Sequence, residues 1–184
     1  MAELEDRLIT IIKEDSYIIS ILQAVEKLQL NDCWVAAGLI RSKVWDTLYE
    51  CHTKINDIDV IYFDQTDLST ETEKRLEAKL EKMMPGLPWS VKNQARMHIK
   101  NSNPPYTSSF DGVAHFPETP TAVAVQMCHQ EIKIIAPYGL EDLFQGVVKP
   151  TPYYIKGVEL HSVYTERMQN KKWDTLWTNL EIEY

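Results

Sequence analysis

Two aspartates one residue apart, Asp57 and Asp59, open the apolar run Ile58, Val60, Ile61, Tyr62 and Phe63. In a strand, residues two apart share a face, so both carboxylates reach the same space. Like charges that close repel, and a divalent cation with hard oxygen ligands relieves the repulsion. Mg²⁺ or Mn²⁺ held there could bind a triphosphate and assist in-line displacement at phosphorus, the chemistry of two-metal nucleotidyl transfer. Asp-Ile-Asp at a strand start also suits a solvated turn, so the pair means little by itself.

It has company upstream. Val35-Ala36-Ala37-Gly38-Leu39-Ile40-Arg41-Ser42 reads as a buried strand, a glycine turn and a helix start. A glycine lets a phosphate approach the backbone, and the free amides and positive dipole of a helix start favour an anion. Arg41 could add a bidentate phosphate contact, with Ser42 beside it. Each residue alone also fits a plain turn or a surface ion pair. Strand, glycine turn, helix and then an Asp-x-Asp strand is the more specific combination.

The elements that must position these residues follow from periodicity. Leu4 to Lys13 and Ile18 to Leu28 carry apolar residues at helical spacing, and Asp15 or Ser16 offers a cap between them. Cys33 to Ala37 predicts a short buried strand, Leu39 to Leu48 a helix, Val60 to Phe63 a strand, and Glu71 to Met84 a helix stopped by Pro85 and Gly86. Trp89 to Ile99 alternates and predicts a strand with Lys92, Gln94, Arg96 and His98 on one face. Further strands are expected at Thr121 to Met127 and Glu131 to Ile135, then a short helix from Gly139 to Phe144 and a last one over Val158 to Lys171. This order predicts an α+β domain with a mostly antiparallel or mixed sheet. Its 184 residues suit one domain, with N-terminal helices over 3–28 and a C-terminal helical segment over 157–180.

If the polar face of the Trp89 to Ile99 strand looks toward the aspartates, Gln94, Arg96 and His98 line the cleft; otherwise they are a solvated face. That strand holds no acid. Asp111 and Glu118 could supply a further carboxylate from a loop-rich stretch, although surface loop positions suit them better. Trp34, Trp45, Trp173 and Trp177 read as packing residues rather than base-stacking platforms. Cys51-His52 reads as a solvated loop thiol and imidazole, and the three cysteines show no paired spacing, which argues against a disulfide framework.

Nineteen Lys and Arg against 27 Asp and Glu leave a net charge of −8, which disfavours a large nucleic-acid footprint. No apolar run approaches the ~18 residues that span a bilayer, and the acidic, amphipathic start does not resemble a secretory signal. The expectation is a cytoplasmic protein with no membrane partner.

Ala37-Gly38-Leu39-Ile40-Arg41-Ser42 followed by Asp57-Ile58-Asp59 resembles the Gly-Gly-x-Val-Arg-Asp and Asp-x-Asp signature of the head domain of CCA-adding enzymes and bacterial poly(A) polymerases, in the polymerase-β-like nucleotidyltransferase superfamily. Ala37 stands in place of the first glycine and Ser42 in place of the acid. The stretches 89–98, 116–122 and 136–144 resemble a bacterial family of stand-alone nucleotidyltransferase-like proteins of undefined substrate. The resemblance implies a polymerase-β-like fold, Asp57 and Asp59 as Mg²⁺ or Mn²⁺ ligands, and Gly38, Arg41 and Ser42 at an NTP. It also implies transfer of a nucleoside monophosphate to an acceptor, a small molecule or a protein. RNA is disfavoured, because those enzymes grip it with further helical domains. These enzymes usually carry a third carboxylate on a neighbouring strand; its absence here keeps open a degenerate nucleotide-binding or protein-interaction module.

Overall fold

The computed structural model describes residues 2–101 and 103–184. Helices α1 (Ala2–Lys13) and α2 (Ser16–Glu26) bury the stripes Leu8, Ile11, Ile12 and Ile18, Ile21, Leu22, Val25. Asp15 separates them by capping α2, its Oδ1 accepting from the amides of Tyr17 and Ile18 at 3.0 and 3.1 Å. Next come β1 (Trp34–Ala36), α3 (Gly38–Leu48), β2 (Ile58–Tyr62), α4 (Thr70–Met83) and β3 (Trp89–Asn93). Two short helices, α5 (Gln94–Met97) and α6 (Ser109–Ala114), precede the hairpin β4 (Ala124–Cys128) and β5 (Glu131–Ile135). The chain ends with α7 (Glu141–Gln145), β6 (Val147–Val148), α8 (His161–Lys171), α9 (Trp173–Leu176) and β7 (Glu181–Ile182).

The main sheet has the order β3-β2-β1-β4-β5. Only β2 and β3 run parallel within it, the other neighbours being antiparallel, so the sheet is mixed and the class is α+β. Strands β6 and β7 form a separate parallel pair. Alternation sends Val35, Val60, Val91 and Val125 to the face where residues of α1 to α4 form the larger core. Ala36, Ile61, Ala124 and Ile135 face the other way, onto Val113 of α6 with Trp34, Phe116 and Tyr138.

Three expectations need correction. The strand expected over Trp89 to Ile99 stops at Asn93, whose side chain accepts from Ala95 N at 3.1 Å and so caps α5. A local side-chain hydrogen bond thus offers the backbone a helical exit where polar and apolar residues still alternate. The segment 157–180 is helical only over 161–171 and 173–176, because Lys172 adopts the left-handed conformation (φ 47°) between α8 and α9. The strand expected over Cys33 to Ala37 is shorter at both ends, since Ala37 already caps α3.

Trp45 of α3 ties the C-terminal segment to the site-bearing helix. It is fully buried, meets Trp173 and Trp177 edge-on at 5.6 and 5.0 Å, and donates its indole N–H to Leu143 O at 3.0 Å. Edge-to-face pairs contribute about 0.5–1.5 kcal/mol each beyond the area they bury. Asp46 adds a polar tie, accepting from Trp177 Nε1 at 2.9 Å and from Thr53 N at 2.8 Å.

Candidate nucleotide and metal site

The turn from β1 to α3 is built on Ala37, at φ 58° and ψ −123°, a region that side-chain-bearing residues rarely enter. Two backbone bonds hold it there: Ala37 N donates to Val123 O at 2.9 Å, and Arg41 N donates to Ala37 O at 3.1 Å. At the next position a Cβ would lie 3.4 Å from Asp57 Oδ1 and 3.8 Å from Arg41 Nη2. Gly38 is thus where the turn, the first aspartate and the arginine converge, and its missing side chain leaves that space open.

Asp59 lies on β2 opposite Ala36 of β1 and Ser90 of β3. Both neighbours are small, so the sheet leaves room around the carboxylate. Burial, and then the charge of Asp57, push its carboxyl up to about 6, against the pull of the Ser90 hydroxyl, Arg167 and Lys92. Asp57 stands just before the strand and is exposed. Two carboxylates on one side of the sheet, one held off ionisation by burial and then by the charge of the other, are a donor set that fits a hard divalent cation.

Arg41 does not reach out from the surface. It is 7% exposed, donates through Nη1 to Thr121 Oγ1 at 3.1 Å and through Nη2 to Ser42 Oγ at 3.3 Å, and lies 4.0 Å from the centre of the Trp173 ring. Burial draws its pKa down to about 10, with Glu118 opposing. Glu118, expected as a surface loop carboxylate, is fully buried and ion-paired with Arg167 of α8. Its segment 119–121 is fixed from below, Thr119 N donating to Lys149 O at 2.9 Å.

Both aspartates, Arg41 and Arg167 line one cavity of about 660 Å³, and Glu118 lies behind its wall. Gly38, Arg41, Ser42, Asp57 and Asp59 meet there, with Lys54, Arg167 and Lys171 as further cations and Trp173 and Trp177 in the wall. Lys43 at the rim is paired with Asp15 at 2.8 Å. Cys51 and His52 also line it: the thiol hydrogen-bonds to Asp46 and is pushed up by burial, while His52 is exposed.

Gln94, Arg96 and His98 do not line the cavity, which corrects the expected acceptor side. The parallel register pairs Asp59 with Ser90 and Tyr62 with Asn93, so α5 follows the far end of β2. Arg96 donates through Nε to Glu73 at 2.8 Å, Gln94 packs beside Gly112, and His98 meets the ring of Tyr106. Asp111 accepts from Thr107 N at 2.9 Å and contacts His115. Among the described residues no group of three or more His, Cys, Asp or Glu is poised for a metal. Arg167 and the burial of Glu118 were not anticipated from the sequence; the two residues lie 49 positions apart, and no local pattern pairs them.

A family model described as "Nucleotidyltransferase" matches residues 23–182. A protein whose NMR structure reveals a CCA-adding enzyme head domain is 34% identical, covering 97% of this chain and 95% of its own with a TM-score of 0.85. A CCA-adding enzyme in complex with CTP is 14% identical at a TM-score of 0.58, and the match spans 95% of this chain but only 43% of that one. A CCA-adding enzyme complex with ATP gives 16% identity and a TM-score of 0.54 over 41% of its length. These two show the fold alone. No curated protein sequence matches. The mixed sheet flanked by helices is therefore the head fold of CCA-adding enzymes, and the chain belongs to the nucleotidyltransferase family.

Proposed function

We propose that the protein transfers a nucleoside monophosphate from an NTP to an acceptor, using Mg²⁺ or Mn²⁺ at Asp57 and Asp59. The observation that carries this is the crowded aspartate pair beside the Gly38 turn, inside a cavity with cations on its walls. Bound there, the cation would polarise the phosphate and neutralise charge at the leaving group. Asp57 and Asp59 hold and orient it, the small residues Ala36 and Ser90 leave it room, and Gly38 lets phosphate oxygens approach the start of α3. Arg41 and Ser42 form the floor beside that approach.

The acceptor we favour is a small molecule or a protein, since the net charge of −8 works against an RNA footprint. A cytoplasmic site of action is part of this proposal; among the described residues no helix is long and apolar enough to cross a membrane. One observation favours a second reading, nucleotide binding without turnover. Beside Asp59 the neighbouring strand offers Ser90 rather than a further carboxylate.

Incubation with Mg²⁺, each α-labelled NTP in turn and a cell lysate separates the two. Label should move into a new product with the wild-type protein and stay in the NTP with Asp57→Asn/Asp59→Asn. Label transfer by the double variant at the wild-type rate would overturn the enzyme reading, whereas metal-dependent NTP binding without any product would favour the second.

A further inference from the structure

Glu118 is completely buried, yet among the described residues Oε1 alone has a hydrogen-bond partner, Arg167 Nε, and Oε2 has none. Arg41 Nε is likewise buried and without a hydrogen-bond partner among the described residues. Both guanidinium groups lie over one indole, Arg41 Cζ at 4.0 Å and Arg167 Cζ at 5.8 Å from the Trp173 ring. Two like charges brought that close repel, and Arg41 registers the charge of Arg167 as unfavourable and that of Glu118 as favourable. Stability does not account for this arrangement, because desolvating charges commonly cancels what a buried ion pair returns.

Position accounts for it better. Arg167 stands on α8, lines the same cavity as Asp57 and Asp59, and is near enough to Asp59 for its charge to be felt there. Glu118 engages it through Nε, while its Nη nitrogens have no hydrogen bond among the described residues. A guanidinium gripped at one edge keeps its terminal donors in a fixed orientation, the geometry that recognises phosphate oxygens.

We propose that Arg167 is a polyphosphate-binding residue of the cavity and that Glu118 is the positioning residue that aims it. The assignment rests on the nucleotidyl-transfer reading and adds to it that α8 belongs to the nucleotide site. It also sets an order of binding, because the charges of Asp57 and Asp59 repel a phosphate chain locally until a divalent cation neutralises them.

Calorimetry with inorganic pyrophosphate, with and without Mn²⁺, tests this on the full chain. The wild type should bind pyrophosphate only with Mn²⁺. Arg167→Lys keeps a charge beside Glu118 but loses the fork, and should weaken binding about tenfold. Glu118→Gln should weaken it in the same direction, and adding it to Arg167→Lys should cost nothing further, a non-additivity that a purely structural role would not produce. Circular dichroism checks that each variant is folded, and Glu118→Gln/Arg167→Gln, which removes both charges of the pair and should bind as weakly as Arg167→Lys, stands in for either single variant that does not fold. Wild-type affinity in the folded variants, or fully additive losses, would overturn the proposal and leave nucleotidyl transfer standing. No pyrophosphate binding by the wild type with Mn²⁺ would bring down both.

Discussion

Asp59 is held where a carboxylate is uncomfortable without a cation. Its pKa of about 6 in the fold lies above the ~3.9 of an unfolded aspartate, so the folded state takes up a proton more readily. The stability this brings is complete below about pH 4 and is lost as the pH rises through about 6. Asp59→Asn should therefore stabilise the metal-free protein at pH 7.5 by roughly 2 kcal/mol, about 4–8 °C in melting temperature, and make no difference at pH 4. Mg²⁺ should stabilise the wild type and leave the variant unmoved. A variant that melts with the wild type at pH 7.5 without metal would show that neither burial nor the charge of Asp57 holds the Asp59 carboxyl up. The pair was legible because its spacing dictates a shared face in any strand. Burial of Glu118 was not, since Pro117-Glu118-Thr119-Pro120 has the composition of an exposed loop, and the segments that meet it, residues 149–151 and Arg167 of α8, are distant in sequence.

Among the elements, the β1 to α3 turn is the one whose sequence disagrees with its conformation. At φ 58° and ψ −123° Ala37 carries strain of order 1–3 kcal/mol, and glycine there would give back about 0.5–1 kcal/mol in backbone entropy. Ala37→Gly should thus raise stability by about 1 kcal/mol, measured by urea unfolding, with no loss of Mn²⁺ binding. Destabilisation by that substitution would mean that the methyl, buried against Ile61 and Val113, is worth more in packing than the strain costs. Helices α1 to α4 and strands β1, β2, β4 and β5 were legible, because apolar periodicity and caps such as Asp15 act within a few residues. The exit from β3 was not. Gln94 to His98 continue a polar and apolar alternation, but the Asn93 side chain, tied to Asp64 and Asp67, accepts from Ala95 N and caps α5 there. The helix carries Arg96 to Glu73 and takes the expected polar row away from the aspartates.

Across the whole molecule, the first half supplies the Gly38 turn and the aspartates, and the second half closes the cavity over them. Trp173 and Trp177 pack on Trp45, and Arg167 reaches Glu118, so the C-terminal helices are wall as well as support. Reading the tryptophans as packing residues was sound, but their place beside the cavity followed from a tertiary contact with no sequence period. The family signature predicted the head fold, and a TM-score of 0.85 with a 34% identical protein bears that out. Everything proposed about chemistry depends on whether the aspartates hold a cation. Calorimetric titration of the metal-free protein with Mn²⁺ near pH 7.5 decides that: saturable binding by the wild type and none by Asp57→Asn/Asp59→Asn with its fold intact is expected, and wild-type affinity in that variant would overturn the metal site.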